Sequence, residues 1–199
     1  MSIKNQKQPR IRRSIEESRS NILSAAESLL VERGPQSLRL ADVAKAAGVA
    51  NATVLHHFGS IDAVQKALME QMIGDLVDNI LALNVPVDDL SAARGAGLET
   101  LFDAFESRGT ARLAAWLELT DESRRLTLVR EAVQQVVQQK MANVGVPVDV
   151  AEDMILLSVT LALGVGFFGP SLADLLGKPP GRARELTLRM LRANLDRLA

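Results

Sequence analysis

The chain has 199 residues, a formal net charge of −1 and a hydrophobic fraction of 47%, which is enough apolar sequence for a sizeable core. It contains no cysteine, so disulfides, thiolate metal sites and cysteine nucleophiles are excluded. Residues 1–13 lack the apolar segment of a signal peptide, and the longest apolar run, Met154–Gly169, is shorter than the roughly 20 residues of a membrane span. We therefore expect a soluble, cytoplasmic protein that makes no membrane contact and holds Met154–Gly169 as a buried helix.

The charges are distributed unevenly along the chain. Residues 1–60 carry nine Lys/Arg against five Asp/Glu, whereas residues 61–199 carry fourteen against nineteen. The first 13 residues hold five basic residues and no acid. Such an arm can bind nucleic acid through counterion release, although a solvated terminus explains it equally well.

Helical signals begin at Ser14. Ser14 and Glu17 have capping-box spacing, and Gly34-Pro35 is expected to stop the helix that follows. Ser60 can cap a long fourth helix, whose apolar residues recur at every fourth position as far as about Ala82: Val64, Leu68, Met72, Leu76 and Ile80. The pattern predicts a continuous helix over this stretch.

The remainder of the chain also shows helical periodicity. Breaks are predicted at 84–87, at Pro147, at Pro170 and at 177–181. Between them, helices are predicted over 89–106, 110–119, 121–144, 149–168 and 182–198. No segment shows the sustained alternation of a strand. The sequence therefore predicts an all-α fold.

Two short helices, over about 40–47 and as far as about Phe58, flank Gly48. Gly48 can adopt the left-handed conformation that turns the chain sharply, while Val43 and Val54 face inward. This arrangement turns a polar, acid-free face toward solvent: Asn51, Ala52, Thr53, His56 and His57. The geometry is that of a helix-turn-helix, in which the second helix faces base edges. An ordinary helical hairpin in a core is the alternative.

Residues 16–76 resemble the DNA-binding domain of the TetR (tetracycline-repressor) family. The resemblance rests on several short matches, spaced without a gap: Arg19 with Ile22–Ala26, Gly34, Asp42–Val49, Thr53, His57-Phe58 and Ser60. It implies a homodimeric transcriptional regulator with three parts: a basic arm over 1–15, a helix-turn-helix domain over 16–76 with its motif at about 39–58, and an effector-binding and dimerisation domain over 77–199. The resemblance further implies a repressor that a ligand releases from a palindromic operator by moving the fourth helix.

The sequence departs from the family pattern around the second short helix. Ala50 stands where a capping Ser is usual, although Asn51 could cap one residue later. Leu55 and Ile61 replace the usual Tyr and Lys, which contact phosphates. The loss of two phosphate contacts lowers both affinity and salt dependence, so binding is expected to depend more on the arm.

The predicted DNA contacts follow from these positions. We expect groove contacts from the exposed face of the second short helix and phosphate contacts from residues around it. The groove set is Asn51, Ala52, Thr53 and His56, and the phosphate set is His57 and Arg39 with Arg12 and Arg13 of the arm.

Other functions find little support in the sequence. His56 and His57 are its two histidines, and neighbours on a helix point about 100° apart, so a shared metal ion is not expected. Residues 61–199 contain neither His nor Cys. An all-α enzyme, using carboxylates such as Glu118, is therefore a lesser alternative. The other is a TetR-like interaction protein with impaired DNA binding, which the losses at Leu55 and Ile61 favour.

An effector site is expected in the C-terminal domain. Phe102, Phe105 and Trp116 can line a pocket between helices, with Arg112 as a polar anchor, or can equally be core residues. Such a pocket favours a small, largely apolar molecule, and no cofactor or metal is predicted.

The candidate dimer face combines the helix over 149–168 with the last helix. The last helix carries leucines on one side: Leu188, Leu191, Leu195 and Leu198. The apolar helix could instead be buried within one chain.

Overall fold

A computed structural model describes residues 14–83, 90–120, 131, 134–136, 138 and 147–195. Every long regular element in these ranges is a helix, which agrees with the predicted all-α fold. We number the helices α1 to α8: Ile15–Arg33, Leu40–Ala47, Asn51–Phe58, Ile61–Ala82, Leu90–Ser107, Thr110–Leu119, Val148–Leu175 and Arg182–Leu195. A short 3₁₀ turn, Pro35–Ser37, follows α1.

The predicted ends of the N-terminal helices are confirmed. Ser14 and Glu17 form the capping box, because the Ser14 hydroxyl accepts from the Glu17 amide while the Glu17 carboxylate accepts from the Ser14 amide. Gly34, with φ 84°, ends α1. Ser60 caps α4 by accepting from the Ala63 amide at 3.1 Å. These local signals fix where α1 and α4 begin.

Helix α4 contacts helices that precede it in the sequence and helices that follow it. Its apolar stripe is buried from Val64 to Leu76, and Ile80 packs against the same core. The helix contacts α1 and α3 on the N-terminal side and α5 and α6 on the C-terminal side. The predicted boundary at residue 76 therefore falls inside a continuous helix.

Helix α7 is longer than the sequence predicts. It spans 28 residues and continues through Pro170, where a break was expected. A proline excludes the helical conformation from the preceding residue mainly by contact with its Cβ, and that residue is Gly169, which has none. The missing amide of Pro170 leaves one unmade bond to Gly166 rather than a helix end.

Helix α7 packs one face inside the chain and exposes the other. Its buried face lies against α5, α6 and α8. The opposite face is apolar and exposed, with Leu156, Leu157, Phe168, Leu172 and Leu175 along it. In length and composition α7 is a helix that could cross a membrane, with a mean hydropathy of 1.9. The apolar run Met154–Gly169 thus lies within a longer helix that is buried along one face.

The orientation of α8 also corrects the predicted dimer face. Leu188 and Leu191 are buried in the core of their own chain, because that side of α8 packs onto α5 and α7. The exposed apolar residues of α8 are Leu186 and Met190 on the opposite side. Leu198 lies outside the described residues, as do residues 84–87 and most of the helix predicted over 121–144.

Candidate nucleic-acid interface

The turn between α2 and α3 has the predicted conformation. Gly48 is left-handed, with φ 67° and ψ 33°, a region that residues with a Cβ rarely adopt. The Val49 amide then donates to the Ala44 carbonyl oxygen at 2.9 Å. Val49 itself packs against the core, so the chain turns sharply between α2 and α3.

Helix α3 presents the predicted face to solvent. Val54 is fully buried and Phe58 packs against the core. On the other side, Asn51, Ala52 and His56 are exposed, and Thr53 and His57 are half-buried. The structure thus brings the five residues predicted on α3 together on one short helix.

The N-terminal end of α3 differs from one expectation. Ala50 occupies the N-cap position and no side chain caps the helix there. Asn51 is already the first helical residue, so it does not take over the capping role. The usual cap is absent and nothing replaces it among the residues described at this end.

Basic and apolar residues lie in the elements that flank α3. Arg39 is exposed next to the start of α2, and Lys45 is exposed on α2. Leu55, which stands where the family has Tyr, is 42% exposed, whereas Ile61 packs against the core. Neither side chain can replace the lost phosphate contact. Arg12 and Arg13 lie outside the described residues, so their predicted role stays a prediction.

Two residues of α1 contact the motif in a way that no local pattern indicates. The Arg19 guanidinium donates to the His57 carbonyl oxygen and lies over the Phe58 ring, 4.1 Å from its centroid. The Asn21 side-chain amide donates to the Ala47 carbonyl oxygen at 2.8 Å. Arg19 and His57 are 38 positions apart, so sequence periodicity cannot pair them.

The four predicted effector residues fall into two environments. Phe102 and Phe105 are buried in the core. Arg112 and Trp116 instead line a surface cleft of about 270 Å³ between the end of α1, α6 and α7. The other residues lining this cleft are Gly34, Pro35, Gln36, Ala115, Leu119 and Phe167.

The turn before α6 forms ion pairs with α1 and α4. Arg108 pairs with Glu27 of α1 at 2.5 Å and with Asp75 of α4 at 2.8 Å. The hydrogen bond that Arg108 donates to the Glu27 carboxylate is the largest influence on the pKa of Arg108, which rises above its usual value against the opposing effect of burial. Arg112 also donates to the Val31 carbonyl oxygen at 3.2 Å. The turn before α6 therefore contacts α1 and α4 through ion pairs, and α6 itself contacts α1 through a hydrogen bond.

The comparison with known proteins agrees with this helix-turn-helix geometry. Residues 22–68 match the family described as "Bacterial regulatory proteins, tetR family". Over these residues, which include α2 and α3, the chain is similar to the TetR family.

One sequence relative and two solved structures extend the comparison. The HTH-type transcriptional regulator AlkX of Mycobacterium tuberculosis is 32% identical over 89 residues, which are 45% of this chain and 39% of that protein. A tetR-family regulator from Streptomyces coelicolor superimposes with a TM-score of 0.69 at 20% identity, covering 94% of this chain and 82% of its own. A TetR variant from Acinetobacter baumannii in complex with minocycline gives 0.65 at 21% identity, covering 90% and 96%. The chain therefore shares the fold of these two structures over most of its length.

Proposed function

We propose that this TetR-family protein is a homodimeric, cytoplasmic transcriptional repressor that binds a palindromic DNA operator and is released by a small, largely apolar effector. The observation that carries the proposal is the outward face of α3. That face is polar and free of acids, and it follows the Gly48 turn. Residues at the start of such a helix read base edges in the major groove, so we assign groove contacts to Asn51, Ala52, Thr53 and His56, and phosphate contacts to His57 and Arg39.

A homodimer accounts for the exposed apolar faces of α7 and α8. The two helices that carry these faces pack on each other. Leu156, Leu157, Phe168, Leu186 and Met190 would remain in water in a monomer, and an apolar patch of this kind marks an interaction site. A two-fold axis at this apolar patch requires the patch to be complementary to itself. In the proposed dimer the same axis relates two copies of α3, and each copy reads one half-site.

The cleft beside Trp116 is the effector site that we propose. Its walls include two aromatic side chains and the guanidinium of Arg112, which suits a flat apolar molecule with a polar group. The structurally similar Acinetobacter baumannii protein is described in complex with minocycline. A ligand in the cleft contacts the end of α1 and α6 at the same time, so it can favour one position of α6 relative to α1.

The decisive experiment is DNA binding by the full chain. A duplex is selected from random-sequence oligonucleotides with the wild-type protein, and binding to it and to a scrambled duplex is measured by fluorescence anisotropy. Thr53→Ala should weaken binding to the selected duplex about 10-fold, the value of a lost base contact, with little change on the scrambled one. Thr100→Ala, on α5 far from the motif, is the matched control.

The basic arm and the alternatives are tested in the same assay. Deleting residues 1–13 should weaken binding to both duplexes and reduce the salt dependence, because the arm contributes phosphate contacts. A wild-type protein that selects no duplex would contradict the proposal. That result would favour the interaction protein suggested by Leu55 and Ile61.

A further inference from the structure

Helix α3 is weakly held at its N-terminal end. It has eight residues, and helices this short are marginal without tertiary contacts. Its N-cap, Ala50, makes no side-chain hydrogen bond, and Val54 is its fully buried residue. The angle at which α3 projects therefore depends on contacts elsewhere along the helix.

Arg19 of α1 supplies such a contact at the opposite end. The last carbonyl groups of a helix have no partner within it, and the His57 carbonyl oxygen accepts from Arg19 Nη1. The same guanidinium lies over the Phe58 ring at 4.1 Å. A planar guanidinium can donate in its plane while it stacks through its face, which an ammonium group cannot do. Its positive charge also suits the negative end of the helix dipole.

Helix α1 also contacts the C-terminal end of α2. Asn21 donates to the carbonyl oxygen of Ala47, the last residue of α2. Both helices of the motif are thus contacted at their C-terminal ends by polar side chains of α1. These contacts leave the opposite end of α3, with Asn51 and Ala52, facing solvent.

We propose that Arg19 is a positioning residue, which sets the angle of α3 and so determines discrimination between DNA sequences without contacting a base. His57 lies six residues from Asn51, or about 9 Å along the helix. A tilt of about 10° around the held end displaces the other end by roughly 1.5 Å, which is more than a hydrogen bond tolerates. The inference rests on the proposed DNA binding, with Asn21 fixing α2 beside it.

A direct phosphate contact by Arg19 would also weaken DNA binding when lost, but it has a different signature. Each phosphate contact adds about one unit to the slope of log affinity against log salt. A positioning residue leaves that slope unchanged and alters the preference for one sequence over another. The two roles are therefore separable by experiment.

The test compares Arg19→Lys with the matched control Arg33→Lys, an exposed position in the last turn of α1. Binding of the full chain is measured against the selected and the scrambled duplex at several KCl concentrations. Arg19→Lys should weaken binding to the selected duplex about 10-fold and to the scrambled duplex less than about twofold, with the salt slope unchanged. The control should match the wild type. Equal losses on both duplexes with a smaller slope would overturn the proposal, as would unchanged binding.

Hydrogen exchange without DNA provides an independent readout. The Gly59 amide, bonded to the Leu55 carbonyl oxygen at 2.8 Å, should exchange about fivefold faster in Arg19→Lys, while amides of α6 keep wild-type rates. Faster exchange in α6 as well would mean general destabilisation and would overturn the positioning role. If the wild type selects no duplex, the proposed function fails, whereas exchange still decides whether Arg19 holds α3.

Discussion

At the scale of single residues, Trp116 shows how a side chain acquires a role from its surroundings. Phe102, Phe105 and Trp116 look alike in the sequence, yet the first two are buried and Trp116 borders the cleft beside Arg112. A buried ring stabilises the fold, whereas a ring at a cleft remains available to a ligand. Trp116 is therefore the aromatic residue to test for effector binding.

We expect Trp116→Ala to weaken the effect of any apolar compound that acts through the cleft. The compound is found in a thermal-shift screen of the wild type, and its effect on binding to the selected duplex is measured. A compound that raises the melting temperature should also weaken DNA binding, and Trp116→Ala should reduce both effects. Trp116→Phe, which keeps an aromatic ring, is the control and should retain most of each. A compound that acts equally on wild type and Trp116→Ala would place the site elsewhere.

At the scale of elements, the contact of α7 with α5 and α6 depends on a glycine. A Cβ at Gly166 would lie 2.9 Å from the Phe105 carbonyl oxygen and 3.0 Å from the Ala111 Cβ. Gly164, two residues earlier, meets no described atom within 4 Å. The close approach is therefore at Gly166 and not at Gly164.

Gly166→Ala should lower the free energy of unfolding by about 1–2 kcal/mol, because the added methyl forces backbone groups apart. The effect is measured by urea denaturation of the full chain. Gly74→Ala is the control, since it lies within α4 with no described atom within 4 Å of its Cβ, and it should stabilise by about 0.5–1 kcal/mol. Equal stability of the two variants would contradict the close approach.

At the scale of the whole molecule, the proposed dimer can be tested through α8. Leu186 and Met190 lie one turn apart on its exposed face. Leu186→Glu with Met190→Glu should convert a dimer into a monomer in sedimentation equilibrium at about 10 μM, because a symmetric interface brings the new carboxylates close to their own copies. Leu119→Glu, at an 84% exposed position on α6, should leave the association unchanged. A double variant that remains dimeric, or a monomeric wild type, would contradict this interface.

Much of the fold could be predicted from local sequence signals. The predictions that failed concern features that depend on packing between helices. Ser14, Gly48 and Ser60 act through their immediate neighbours, so the ends of α1, α2 and α4 were predictable. Pro170 was misleading because its effect depends on Gly169 before it. The side of α8 that faces inward depends on α5 and α7, so Leu191 could not be assigned from spacing alone. The contact of Arg19 with His57 likewise required the folded chain.

The continuity of α4 has a consequence for how the molecule can be divided. A fragment that ended at residue 76 would cut this helix and leave Met69, Met72 and Leu76 without the α5 and α6 side chains that cover them. It would also leave Glu27 and Asp75, two like charges, without Arg108. Residues 14–76 are therefore not expected to fold by themselves, and the chain should unfold in a single transition.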